Sequence, residues 1–99
     1  MARVALAAGA QTDLDRLFDF LVAEDADAAA TVIDLILDAL SILERHPAIG
    51  RPVEQGLREL VISRGRSGYV ALYEYFEADD AVLVMALKHQ REAGYPENL

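Results

Sequence analysis

Arg58, Lys88, Arg91 and Tyr95, with His89 among them, are the side-chain types that could cut a phosphodiester. RNA cleavage needs a base for the attacking hydroxyl, an acid for the leaving oxygen and a cation on the phosphate. An imidazole, a phenol and basic side chains supply these three functions. Arg58 opens one apolar segment, and the other four follow the last apolar segment. If those segments flank a third in a three-stranded meander, their side chains can share one face. The spacing fits equally well a solvated strand edge followed by a polar tail.

A second feature is a local excess of arginine. Arg51, Arg58, Arg64 and Arg66 stand against Glu54 and Glu59, in a chain with nine basic and seventeen acidic residues and a net charge of −8. Such an overall charge excludes binding to nucleic acid through a general attractive field. No direct sequence-specific nucleic-acid binding is expected from this chain alone. The local patch reads as a contact site for an acidic partner or a phosphate, or as arginines solvated around a loop. No cysteine is present, which excludes a disulfide scaffold, a thiolate zinc site and a cysteine nucleophile. The two histidines are not at ligand spacing, no glycine-rich phosphate loop precedes a helix, and there is no nucleophile elbow. No metal and no cofactor are therefore expected. Asp34 and Asp38 fall on a solvated helix stripe, and His46 reads as a partner for a helix C-terminal dipole.

The elements that must position these groups follow from hydrophobic periodicity. The 99 residues make one domain, 1–99, and 54% hydrophobic content can support a core. Residues 3–8 (RVALAA) read as a strand ended by Gly9. Thr12 with Asp15 reads as a helix start. Leu14, Leu17, Phe18, Leu21 and Val22 then form one apolar helical face, with Asp13, Asp15, Arg16 and Asp19 opposite. A polar junction at residues 24–27 precedes a second helix over about 28–46. Its polar residues Asp27, Thr31, Asp34, Asp38, Ser41 and Arg45 recur at spacings of four and three in one narrow stripe. The remaining surface is so apolar that more than one neighbour must cover it. Pro47 stops the helix, and a loop runs through Gly50, Pro52 and Gly56.

The period then changes to that of strands. Residues 57–63, 69–76 and 81–87 read as three strands, joined by turns at 64–68 and 77–80, with a polar tail from Lys88. The fold class is α+β: an N-terminal strand, a helical hairpin, then a three-stranded antiparallel meander. Two helices cover only one face of such a sheet. On simple alternation, Val82 and Val84 take one face of the last strand and Leu83, Met85 and Leu87 the other. Val70 and Leu72 alternate with Tyr69, Ala71 and Tyr73. An apolar face left uncovered marks a protein contact. No apolar run of about 18 residues is present, so no membrane span is expected. No signal peptide is apparent, and a cytoplasmic location is expected.

In this order, the segments HPAIGRPVEQGLRELVI, SGYVALYEYF and VLVMALKHQREAGY resemble the RelE/ParE family of bacterial toxins from type II toxin–antitoxin systems. The pieces that carry the resemblance are Gly50-Arg51-Pro52, Arg58-Glu59-Leu60, Gly68-Tyr69 with Tyr73, and residues 88–92. The resemblance spans nearly the whole chain and implies the same compact α+β fold. RelE-like members are ribosome-dependent mRNA endonucleases that use basic residues and a C-terminal tyrosine. ParE-like members share the fold, lack the full set and are associated with poisoning of DNA gyrase. In the RelE pattern an arginine follows Gly-Tyr, whereas here Val70 does. Of two lysines usual in the preceding strand, Arg58 matches one, and Leu60 or Val61 replaces the other. Arg91 and Tyr95 match the C-terminal arginine and tyrosine.

The resemblance therefore implies a ParE-like, non-enzymatic inhibitor of gyrase, with no catalytic residue. Arg51, Arg58, Arg64, Arg66, Lys88 and Arg91 would contact the target. It implies a cognate antitoxin whose segment folds on Val70, Leu72, Leu83, Met85 and Leu87. The alternatives are a RelE-like endoribonuclease using Arg58, Lys88, Arg91 and Tyr95, and a degenerate homologue that binds antitoxin without toxicity.

Overall fold

The computed structural model describes residues 1–64 and 67–90. Strand β1 (Arg3–Leu6) leads through the single residue Ala7 into helix α1 (Ala8–Glu24), and α2 (Ala26–Ser41) follows, ending in a 3₁₀ turn at Ile42–Glu44. After a loop come β2 (Arg51–Pro52), β3 (Arg58–Arg64), β4 (Ser67–Phe76) and β5 (Ala81–His89). The five strands form one sheet in the order β1-β5-β4-β3-β2. The β3–β4–β5 meander and the helical hairpin match the sequence reading. The meander is extended by a parallel β1 on one edge and a short antiparallel β2 on the other. Residues 51–52, expected in a loop, are that edge strand; two residues, one of them proline, carry too little pattern to read.

Helix α1 begins four residues before the expected cap at Thr12. Its N-cap is Ala7, with no side-chain bond. The backbone fixes this start instead: Ala7 N–H donates to Val84 O, and the Gln11 side chain donates to Leu6 O. A side-chain methyl at Gly9 would stand 3.3 Å from Met85 O, so glycine lets the helix cross β5 closely. Asp25 joins the two helices. It follows α1 and caps α2, its carboxylate accepting from Asp27 N–H and Ala28 N–H. The polar stripe read on the second helix is exposed throughout, at Asp27, Thr31, Asp34, Asp38, Ser41 and Arg45. The opposite stripe, Ala29, Val32, Ile36 and Leu40, is buried.

The core lies between the hairpin and one sheet face. Leu17, Val32, Ile36, Leu40 and Leu43 pack with Ile62, Tyr69, Ala71, Tyr73, Val82, Val84 and Leu87. Each fully buried aliphatic side chain here is worth about 1.5–3 kcal/mol against exposure.

Leu87 belongs to this set because of a β-bulge. Tyr73 pairs with Val84 but Leu72 pairs with Ala86, so Met85 is an extra residue. The extra residue reverses the alternation along β5. Leu87 therefore faces the helices, 1% exposed, and not the face it was expected to share with Leu83 and Met85.

The back face of the sheet is also less bare than strand alternation predicts. Val70 and Leu72 are 6% and 4% exposed. Leu72 shares the wall of a cavity with Val53 and Leu57, from the segment that folds back after β2. Val61, 53% exposed, and Phe76, 39% exposed, are the exposed large apolar side chains on that face among the described residues. Other exposed large apolar groups stand on the hairpin, with Phe18, Phe20 and Val22 on α1 and Leu37 on α2, and at Met1, Ile42 and Ile49.

Candidate functional site

The described candidate cations lie on β2, β3 and β5, and the register decides which of them meet. Arg58 stands opposite Tyr73 in the β3–β4 ladder, on the helix side. Lys88 stands opposite Val70, on the back side and toward the other end of β4. The two do not share a face, contrary to the meander expectation. His89 stands opposite Tyr69 on the helix side, its ring packed edge-on at 5.2 Å between centroids. Arg66, Arg91 and Tyr95 lie outside the described residues, and for Arg64 the backbone pairing alone is described, opposite Ser67.

Arg58 is committed to the main chain. Its Nη1 donates to Ala48 O at 3.0 Å and to Gly50 O at 2.8 Å. Beside it the wholly buried Tyr73 binds the same loop from below. Its hydroxyl donates to Pro47 O and accepts from Gly50 N–H, both at 2.8 Å. Burial raises the Tyr73 phenol above its ordinary value, an effect that the Gly50 N–H and the Arg58 charge partly oppose. The phenol thus stays protonated at neutral pH and keeps its donor bond to Pro47.

Gly50 completes the lock. A methyl there would lie 2.6 Å from the Tyr73 oxygen, so only glycine lets the loop sit this close. Ile49 N–H donates back to His46 O. Residues 47–50 are consequently held by five hydrogen bonds, four of them from Tyr73 and Arg58. The loop presents Ile49, 56% exposed, between the exposed Arg45 and His46 on one side and Arg51 on the other. Arg51 donates to Glu59 at 2.6 Å while its side chain stays 74% exposed.

Behind Arg51 and Glu59 lies an open cavity of about 500 Å³, walled also by Val53, Leu57 and Leu72. Its rim is formed by a tight turn, with Gln55 at φ +63° and Gly56 at φ +73°.

At the far edge of the sheet the structure reveals a site that sequence reasoning missed. β1 covers β5 only as far as Val84. Beyond it Leu87 exposes both main-chain groups to α1. Asp13 Oδ2 accepts from Leu87 N–H at 2.9 Å, and Arg16 donates to Leu87 O at 3.4 Å. Asp13, read from the sequence as a surface carboxylate, is the buried charged residue among those described. Two helix side chains thereby replace a neighbouring strand. The one sequence signal was a first strand shorter than the last.

No three histidine, aspartate or glutamate side chains gather as metal ligands among the described residues. None of the described helices is long and apolar enough to cross a membrane.

A strand, a helical hairpin and an antiparallel meander make up the RelE/ParE-like α+β fold. Residues 4–94 match the family model described as ParE toxin of type II toxin–antitoxin system, parDE, and the chain belongs to that family within the RelE/ParE superfamily. It is 37% identical over 92 residues to Toxin RelE3 of Caulobacter vibrioides, covering 93% of this chain and 98% of that one. Its fold is similar to a chain of the chromosomal ParDE system from P. aeruginosa, with TM-score 0.71 and 20% identity over 89% of this chain and 95% of the other. A chain of the toxin–antitoxin complex RelBE2 from Mycobacterium tuberculosis is similar at TM-score 0.60 and 22% identity, covering 90% of this chain and 98% of that one. Relatives named for both branches of the superfamily thus surround this chain.

Proposed function

We propose that this toxin acts by binding DNA gyrase, without cutting RNA, and that a cognate antitoxin neutralises it. The observation that carries this reading is the fate of Arg58. Its Nη1 donates to the carbonyls of Ala48 and Gly50, and it lies on the opposite sheet face from Lys88. A phosphate clamp needs cations that converge on one point. Val70 supports the same reading, because a buried valine stands where the RelE pattern has a cation.

The antitoxin in this reading covers apolar side chains that the chain leaves in water. Those are chiefly Phe18, Phe20, Val22 and Leu37 on the hairpin, together with Val61 on β3 and the partly exposed Leu83 and Met85 on β5. Val70, Leu72 and Leu87 are already covered by the chain itself and contribute less.

The test is a pulse-label comparison in cells shortly after the toxin is induced without its antitoxin. Thymidine and methionine incorporation are followed together. An early fall in thymidine incorporation with methionine spared is expected. An early fall in methionine incorporation refutes the gyrase reading in favour of the endoribonuclease. Growth with both unaffected identifies a homologue that binds antitoxin without toxicity.

A further inference from the structure

We infer that the pinned loop of residues 45–51 is the surface with which the toxin grips its target protein. Ile49 would enter an apolar notch there, and Arg45 and Arg51 would meet carboxylates around it. The inference rests on the proposed protein target and names the residues and the surface chemistry that reading leaves open.

Three independent features converge on this loop. The first is rigidity. Tyr73 and Arg58 tie Pro47, Ala48 and Gly50 to the sheet, and Gly50 has no room for a side chain. A segment already fixed in one conformation loses little entropy on binding, so its contacts are realised in affinity. Two buried or half-buried side chains spend all their described hydrogen bonds on an exposed loop, far more than connecting α2 to β2 requires. The second is shape and polarity. Ile49 is 56% exposed, and the exposed Arg45, His46 and Arg51 lie within four residues of it along the chain. An exposed apolar side chain flanked by basic ones suits an interface centre with a polar rim.

The third is charge. Residues 45–53 contain Arg45, His46 and Arg51 and no carboxylate, whereas residues 8–44 contain nine carboxylates against Arg16 alone. The acidic hairpin repels an acidic partner and the loop attracts one, so the molecule would dock in a single orientation. Glu59 orients the Arg51 guanidinium while leaving most of that side chain in water. The isoleucine at the tip favours a protein over a nucleic acid, because a phosphate backbone offers no apolar notch.

The test uses purified full-length toxin and purified DNA gyrase in a supercoiling assay, comparing wild type with Ile49→Asp, Arg45→Glu and Thr31→Ala. Thr31 is exposed on the polar stripe of α2, outside the loop. Thermal melting establishes that each variant is folded; none of the three side chains is buried. The half-inhibitory concentration is expected to rise at least about tenfold for Ile49→Asp and about fivefold for Arg45→Glu, as loss of an interface anchor and of a rim charge requires. Thr31→Ala is expected to inhibit like wild type. Unchanged inhibition by both loop variants, or an equal loss in Thr31→Ala, overturns the loop as the target surface. Failure of the wild type to inhibit gyrase overturns the target reading itself and the inference with it.

Discussion

The loop of residues 45–51 and the outer face of the helical hairpin are both exposed and both carry large apolar groups, yet they are built in opposite ways. The loop is short, basic and fastened by Tyr73 and Arg58 from beneath. The hairpin is long and acidic, and its exposed apolar groups, Phe18, Phe20 and Leu37, stand on regular helix that needs no outside support. One region has a fixed local shape that depends on distant strands. The other has a shape dictated by its own backbone. A rigid loop suits recognition of a preformed surface, whereas a smooth apolar helix face suits a segment that folds as it binds.

That contrast is broken most directly at Gly50. Gly50→Val drives a side chain into the Tyr73 ring, which has core on its other sides. The expected loss is about 3 kcal/mol, read as a lowered urea midpoint. An unchanged midpoint means that the loop is not held against Tyr73. Tyr73→Phe keeps the packing and strands Gly50 N–H and Pro47 O, at an expected cost of about 2 kcal/mol.

The same variant carries a pH signature. The folded-state value of the Tyr73 phenol is raised above the ordinary 10.0, so the folded chain holds this proton more tightly than the unfolded chain. Its contribution is complete below pH 10 and is lost as pH rises from there through the folded value. The stability gap between wild type and Tyr73→Phe therefore narrows above pH 10. A gap that stays constant into strong alkali contradicts the buried, neutral phenol.

At the hairpin, a large effect is expected only where α1 reaches into the sheet. Asp13→Ala leaves Leu87 N–H without its acceptor and is expected to cost about 2 kcal/mol, while Asp13→Asn keeps an acceptor oxygen and loses about half as much. Equal losses in the two variants would show that the carboxylate's charge matters more than its hydrogen bond. The smallest effect belongs to Phe20→Ser, expected within about 0.5 kcal/mol of wild type in the isolated chain. A larger loss there would mean that the outer hairpin face already packs against something in the free toxin.

The sequence reveals the parts of this molecule that repeat a period and hides the parts set by contacts between distant segments. The stripe from Asp27 to Arg45 is legible because six polar residues follow the helical repeat, and all six are exposed. The three strands of the meander are legible from their aromatic and β-branched runs. Leu87 was misplaced because one extra residue at Met85 reverses the alternation, and a bulge is fixed by pairing with β4. Asp13 was misread because a carboxylate beside other carboxylates looks solvated. Its role exists only because β1 ends before β5 does. Tyr73 and Gly50 stand out in the motifs, but a sequence separation of 23 hides their contact. The sequence marks Arg58 as a cation for a target or a phosphate and shows nothing of the loop carbonyls to which its Nη1 donates.

If the toxin acts by contact, its effects on gyrase and on messenger RNA must separate in a purified system. Equal amounts of toxin would be added to a gyrase supercoiling reaction and to ribosomes translating a defined message, with the 5′ ends of that message mapped afterwards. Supercoiling is predicted to stop while the message stays whole. New 5′ ends that appear only with toxin, alongside normal supercoiling, would contradict the role given to Arg58 and return the chain to the nucleases.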